Sequence, residues 1–144
     1  MNELSEIQKN IQRMPQEIIN LILFYTYSFQ PRCLIEDIKN IYNVKNELLV
    51  MYRHHWEDEC NDWLINDIFS YANGYNATMY GYIDNFYNIF LRHVRLKHRL
   101  QVEKYIRGLV GRCVISQINI FLGLMSVEER NHLVKVTIED FDGY

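Results

Sequence analysis

Four groups of side chains in this sequence have types and spacings that could do chemistry. The densest is His54-His55-Trp56-Glu57-Asp58-Glu59-Cys60, which places imidazole, carboxylate and thiol donors side by side. These are the ligand types of zinc and related metals. A closed zinc site also needs a second, correctly spaced pair, and none follows. On a helix, His55 and Glu59 align at i,i+4, as do Trp56 and Cys60, while consecutive side chains diverge. The expectation is a solvated, charged helix junction with Trp56 and Cys60 turned inward, and no metal or other cofactor.

The second group is basic. Arg92, Arg95, Lys97, Arg99, Lys104, Arg107 and Arg112 stand against Glu103 alone, with His93 and His98 among them. On one continuous helix, Arg92, Arg95 and Arg99 share a face, and such a stripe can hold phosphates through salt-sensitive contacts. The acidic residues between 57 and 67 offer another use: the two segments can face each other inside the domain or across a subunit contact. A solvated or charge-complementary surface is the first expectation, with anion binding by Arg92, Arg95 and Arg99, nucleic acid included, as the second.

The third group is those same carboxylates, Glu57, Asp58, Glu59, Asp62 and Asp67. General acid–base work needs two carboxyl groups held around a cleft, whereas neighbours on one helix point different ways. No G-x-S-x-G, P-loop, G-x-G-x-x-G or H-E-x-x-H pattern is present. No catalytic residue is assigned, and an enzyme is not expected. The fourth group is Tyr71, Tyr75, Tyr80, Tyr82 and Tyr87, around the turn signal Asn73-Gly74-Tyr75-Asn76. Such rings serve partner surfaces or base stacking. More commonly they line a core rim with their hydroxyls in water, which is the expectation here.

The elements that must position these groups read as helices. The chain has 144 residues, 49% hydrophobic and 23% charged, with a net charge of −3. This suits one globular domain rather than a disordered or polyanion-binding chain. Cys33, Cys60 and Cys113 are odd in number and widely spaced, which argues for reduced thiols. The polar, acidic start is unlike a secretion signal. The apolar run over residues 18–29 is too short to span a bilayer and contains Asn20, so no membrane association is expected.

Apolar spacing predicts helices over residues 3–13, 15–28, 31–42, 44–56, 57–72, 78–94, 101–110 and 113–124. Pro15 and Pro31 fit first turns, and the helix from Pro15, apolar nearly all round, is expected at the centre of the core. Ser126-Val127-Glu128-Glu129 matches a capping box and should open a last helix. Val134, Val136 and Ile138 alternate like a strand, but Leu133, Val134 and Ile138 also fit one helical face, and helix is preferred. The fold class is therefore all-α: a compact single-domain bundle of about seven to nine helices.

Met14-Pro15-Gln16-Glu17-Ile18-Ile19-Asn20-Leu21-Ile22-Leu23 resembles the opening of an F-box, Leu-Pro-x-Glu-Ile followed by helical apolar residues. The matching positions are Pro15, Glu17, Ile18 and Ile22. Met14 stands in place of the usual Leu, and the nearest Trp to the one that closes such modules is Trp56. The resemblance implies an F-box-like part over residues 14–56, followed by a helical part over 57–144. It also implies a Skp1-type partner bound through Pro15, Glu17, Ile18 and Ile22.

The segments Thr26-Tyr27-Ser28-Phe29-Gln30-Pro31, Leu34-Ile35-Glu36-Asp37-Ile38 and Asp62-Trp63-Leu64-Ile65-Asn66-Asp67-Ile68 resemble a small helical family of giant, AT-rich DNA viruses of the mimivirus kind. Thr78-Met79-Tyr80-Gly81-Tyr82 and Ser116-Gln117-Ile118-Asn119-Ile120-Phe121 extend the likeness. The composition, rich in Asn, Ile and Tyr with Ala only at 72 and 77, fits such a genome. The resemblance implies no established activity. Together these readings lead to a non-enzymatic viral interaction protein in the host cytoplasm, virus factory or virion. The alternative is a structural or virion-associated protein that forms homo-oligomers or packs against capsid or genome.

Overall fold

The computed structural model describes residues 14–26, 30–56 and 60–142. Among the described residues there are seven α-helices and no strand. They are α1 Gln16–Thr26, α2 Arg32–Trp56, α3 Cys60–Ala72, α4 Asp84–Leu91, α5 Arg99–Leu109, α6 Val114–Leu124 and α7 Val127–Asp142, with a 3-10 turn at Thr78–Tyr80. The helix expected over residues 3–13 lies outside the described residues. Contacts divide the chain into two units, residues 1–35 and 36–144.

Local chemistry accounts for most boundaries. Pro15 and Pro31 each sit just before a helix, and their carbonyls accept the first backbone bonds, from Ile18 at 3.0 Å and from Leu34 at 2.9 Å. Ser126 and Glu129 form the expected box. The Ser126 N–H donates to Glu129 Oε2 at 2.7 Å, and the Glu129 N–H donates to Ser126 Oγ at 3.2 Å. Helix α7 follows, so the alternating valines lie on a helix and not on a strand.

Two expected boundaries differ. The helices expected over 31–42 and 44–56 are one, α2, because no Gly or Pro interrupts the 25 residues from Arg32 to Trp56. It supplies Val44, Leu48, Leu49 and Tyr52 to the core, with Ile41 packed against it, while Leu34, Ile35, Ile38 and Tyr42 are exposed. The helix expected over 78–94 is cut at both ends. Gly81 has φ +92°, which no helix accommodates, so α4 starts only at Asp84 and stops at Leu91. Met79, expected inward, is 81% exposed in the 3-10 turn.

The core lies within residues 36–144. Leu48, Ile68, Phe86, Ile89, Phe90, Val102, Ile118, Phe121 and Leu122 are shut off from solvent. Phe121 packs against Phe69 at 4.6 Å and Phe90 at 5.0 Å between ring centroids, and Phe86 lies 5.0 Å from Phe90. Tilted and edge-on rings at these separations favour a tightly interlocked core. Asn73, fully buried, ties the following turn together. Its amide donates to Asn76 O at 2.8 Å and Gly81 O at 3.2 Å, and its Oδ1 accepts the Ile83 N–H at 2.9 Å.

Candidate functional site

Helix α1 carries the four positions expected to bind a partner. Pro15 sits at its entry and Glu17 in its first turn, where the helix dipole favours a carboxylate. Ile18 and Ile22 are one turn apart and each 46% exposed. Leu21, Phe24 and Tyr25 are exposed as well, the last two at about three-quarters. These exposures differ from the expectation of a helix buried all round. Apolar residues all round a helix signal that it needs covering; they do not say whether the cover comes from its own chain.

Among the described residues no three His, Cys, Asp or Glu side chains gather where a metal could bind them. Glu57, Asp58 and Glu59 lie outside the described residues. His55 instead donates from Nδ1 to Met51 O at 2.9 Å and stacks on Phe141 at 4.2 Å. Cys60 is buried as expected, but Trp56 is 44% exposed and stacks on Trp63 at 4.6 Å. Two half-covered indoles shield each other there without entering the core.

The single basic face of Arg92, Arg95 and Arg99 does not exist. Because α4 ends at Leu91, Arg92 follows its last turn, Arg95 lies in the connecting loop and Arg99 opens α5. Arg92 is bound on both guanidinium nitrogens by the Glu129 carboxylate, one contact being 2.9 Å, and also reaches Leu124 O at 3.1 Å. That bond holds the Glu129 carboxyl below its ordinary value and raises Arg92 further. Arg99 pairs with Asp84 at 2.6 Å, and its guanidinium lies 4.8 Å from the Tyr87 ring centroid. The Tyr87 hydroxyl donates to Glu103 at 2.8 Å. The partner carboxylates thus come from α7 and α4, not from the 57–67 block expected to face this stretch.

Most of the tyrosine group lines the core rim. Tyr82 stacks on Phe86 at 4.2 Å, and Tyr71 shares a hydrogen bond with His132 Nδ1 at 2.9 Å. Tyr75 takes φ +61°, which is uncommon for a side-chain-bearing residue, and Tyr80 is 85% exposed. An open cleft of about 590 Å³ lies between α3 and this turn, lined by Asn66, Phe69, Ser70, Asn76, Tyr82 and Gln117 among others. It holds amide and hydroxyl groups with no nucleophile–base pair. A smaller hollow of about 220 Å³ contains Asp67 and Asp140. Asp67 accepts the Tyr52 hydroxyl at 2.6 Å, and burial with that bond pushes the Tyr52 phenol well up.

Sequence reasoning missed Arg130. It is fully buried in the first turns of α7. Its Nε donates to Asn40 Oδ1 at 2.7 Å, Nη1 to Leu122 O at 2.8 Å and Met125 O at 2.7 Å, and Nη2 to Asp37. One guanidinium therefore ties α2, the end of α6 and the start of α7. No spacing in the sequence marks it, because its acceptors are backbone carbonyls and residues more than 80 positions away. Among the described residues, no helix is long and apolar enough to cross a membrane. No family model, curated protein or solved structure matches the chain.

Proposed function

We propose that this chain is a non-enzymatic interaction protein that captures a helical partner on the apolar surface of α1. One observation carries the reading: Ile18, Leu21, Ile22, Phe24 and Tyr25 on an 11-residue helix are all exposed. Exposed apolar side chains on one helix favour association, at up to roughly 1.5–3 kcal/mol for each large side chain fully covered. Helix-in-groove recognition uses anchors at i and i+4, the spacing of Ile18 and Ile22.

The F-box resemblance at Pro15, Glu17, Ile18 and Ile22 makes a Skp1-type adaptor the first partner to test. The resemblance to giant-virus sequences supports host cytoplasm or virus factory as the setting to test. The test mixes purified chain with a purified Skp1-type adaptor and measures complex mass by light scattering after gel filtration. A defined complex is expected, with loss of at least 100-fold in affinity when Ile18 and Ile22 are both changed to Asp. An adaptor that elutes alone removes it as the partner. If the chain then self-associates through the same two isoleucines, the face belongs to a self-assembling structural or virion-associated protein.

A further inference from the structure

We propose that the surface around Tyr105 binds a phosphate-bearing ligand that also carries a flat ring: a nucleotide, free or within a single strand of nucleic acid. Folding leaves positive charge unpaired and collects part of it around Tyr105. Of the seven cations between 92 and 112, Arg92 and Arg99 are held by Glu129 and Asp84. Arg95, Lys97, Lys104, Arg107 and Arg112 are exposed, and no carboxylate among the described residues bonds any of them. Glu103, the one carboxylate of the stretch, accepts the Tyr87 hydroxyl. The local excess of positive charge therefore survives folding, on a chain whose net charge is −3. Attraction for an anion would arise from this surface and not from the molecule as a whole.

Three of these cations lie around Tyr105, two in a hollow that it lines and one near its ring. Arg95, from the loop before α5, and Lys104, from α5 itself, line an open hollow of about 300 Å³ with Leu96, Gln101 and Tyr105. Arg112, from the turn after α5, places its guanidinium 5.8 Å from the Tyr105 ring centroid. Gln101 Oε1 accepts the Lys97 N–H at 2.7 Å and the His98 N–H at 3.3 Å, which orients the amide and leaves its NH₂ group as a donor. Tyr105 is partly buried against the core, with His93 at 5.4 Å between ring centroids, so it offers a ligand the part of its ring that lines the hollow. Cations beside an accessible aromatic edge are elements that single-stranded nucleic-acid sites combine: charge for the phosphates and a π-surface for the base. The hollow's floor is apolar, since Leu96 is buried. It suits a flat ring, whereas a duplex keeps its bases stacked and paired. This proposal is independent of the role assigned to α1.

The test is fluorescence anisotropy of a labelled oligothymidine of about 12 nucleotides on the full chain, with thymidine monophosphate, inorganic phosphate, the matching duplex and an acidic peptide as competitors. Saturable binding is expected. Three phosphate contacts give a salt slope of about −2, so affinity should fall roughly 20-fold between 50 and 200 mM salt. Changing Arg95 and Lys104 together to Gln should weaken binding at least 10-fold and flatten the slope by more than half. Both residues are exposed, so circular dichroism should show an unchanged fold. Lys135→Gln, which removes one positive charge from α7, should change affinity less than twofold. Competition by the mononucleotide would identify a free nucleotide as ligand, and binding of the strand alone would identify the polymer. The proposal falls if the strand fails to saturate at low salt, or if phosphate, duplex or acidic peptide competes as well as the strand. It also falls if Lys135→Gln weakens binding as much as the Arg95 and Lys104 changes.

Discussion

Replacing Arg130 with Met should cost about 3–5 kcal/mol, the range for breaking a fully buried, hydrogen-bonded charge. The structure says where that loss arises. Asp37 keeps 40% of its side chain in water and Asn40 lies at the edge of the core, so both can rehydrate when the guanidinium is gone. The Leu122 and Met125 carbonyls cannot do so readily. Leu122 lies in the last turn of α6 and Met125 just follows it, where the helix has no further N–H to offer, and their bonds to Arg130 are buried. Two stranded acceptors at about 1–3 kcal/mol each account for most of the total. Methionine replaces the aliphatic stem and most of its packing, so the loss falls chiefly on the guanidinium's hydrogen bonds.

The assay is urea unfolding followed by circular dichroism. At a slope near 2 kcal/mol per molar, the midpoint should drop by about 2 M. Asp37→Asn is the internal comparison, and should cost less than about 1 kcal/mol because that carboxylate is substantially solvated. A midpoint for Arg130→Met close to the parent's would refute the reasoning. So would an equal loss from Asp37→Asn, which would move the energy from the carbonyls to the ion pair.

Gly81→Ala should destabilise by roughly 1–3 kcal/mol, because φ is +92°. An added Cβ meets nothing within 4 Å, so the whole effect is backbone strain. Gly108→Ala, also in open space but inside α5, should instead stabilise by up to about 1 kcal/mol; thermal melts of the two variants check the opposite signs. Glu129 predicts a pH dependence. Its carboxyl is held below its ordinary value of 4.5 by Arg92, so the unfolded chain takes up the proton first. The stability it contributes is present above that ordinary value and drains away as pH falls toward the lowered one. Urea midpoints between roughly pH 6 and pH 3 should therefore decline less steeply for Glu129→Gln than for the parent, and parallel declines would contradict the assignment.

Local signals in the sequence determined the class of structure and several of its joints. The Ser126–Glu129 box, the prolines before α1 and α2, and the Asn73-Gly74 turn act within four residues, and each stands where its chemistry places it. The recurrence of Ile68, Phe86, Phe90, Val102, Ile106, Ile118 and Phe121 at helical spacing marked most of the core, since burial of an apolar stripe is what stabilises a short helix. Tertiary structure decided what such patterns leave open. Periodicity shows that a face needs covering without naming the cover, so Ile18, Ile22, Leu34, Ile35 and Ile38 read as buried but are exposed. A count of charges cannot show which are neutralised, because Glu129 and Asp84 reach Arg92 and Arg99 only across loops and helices. Arg130 is the extreme case. Its role depends on carbonyls whose availability exists only once α6 has ended beside α7 and α2 has arrived with Asp37 and Asn40. Forces that act between neighbours in sequence leave a readable spacing, and those that act between distant segments do not.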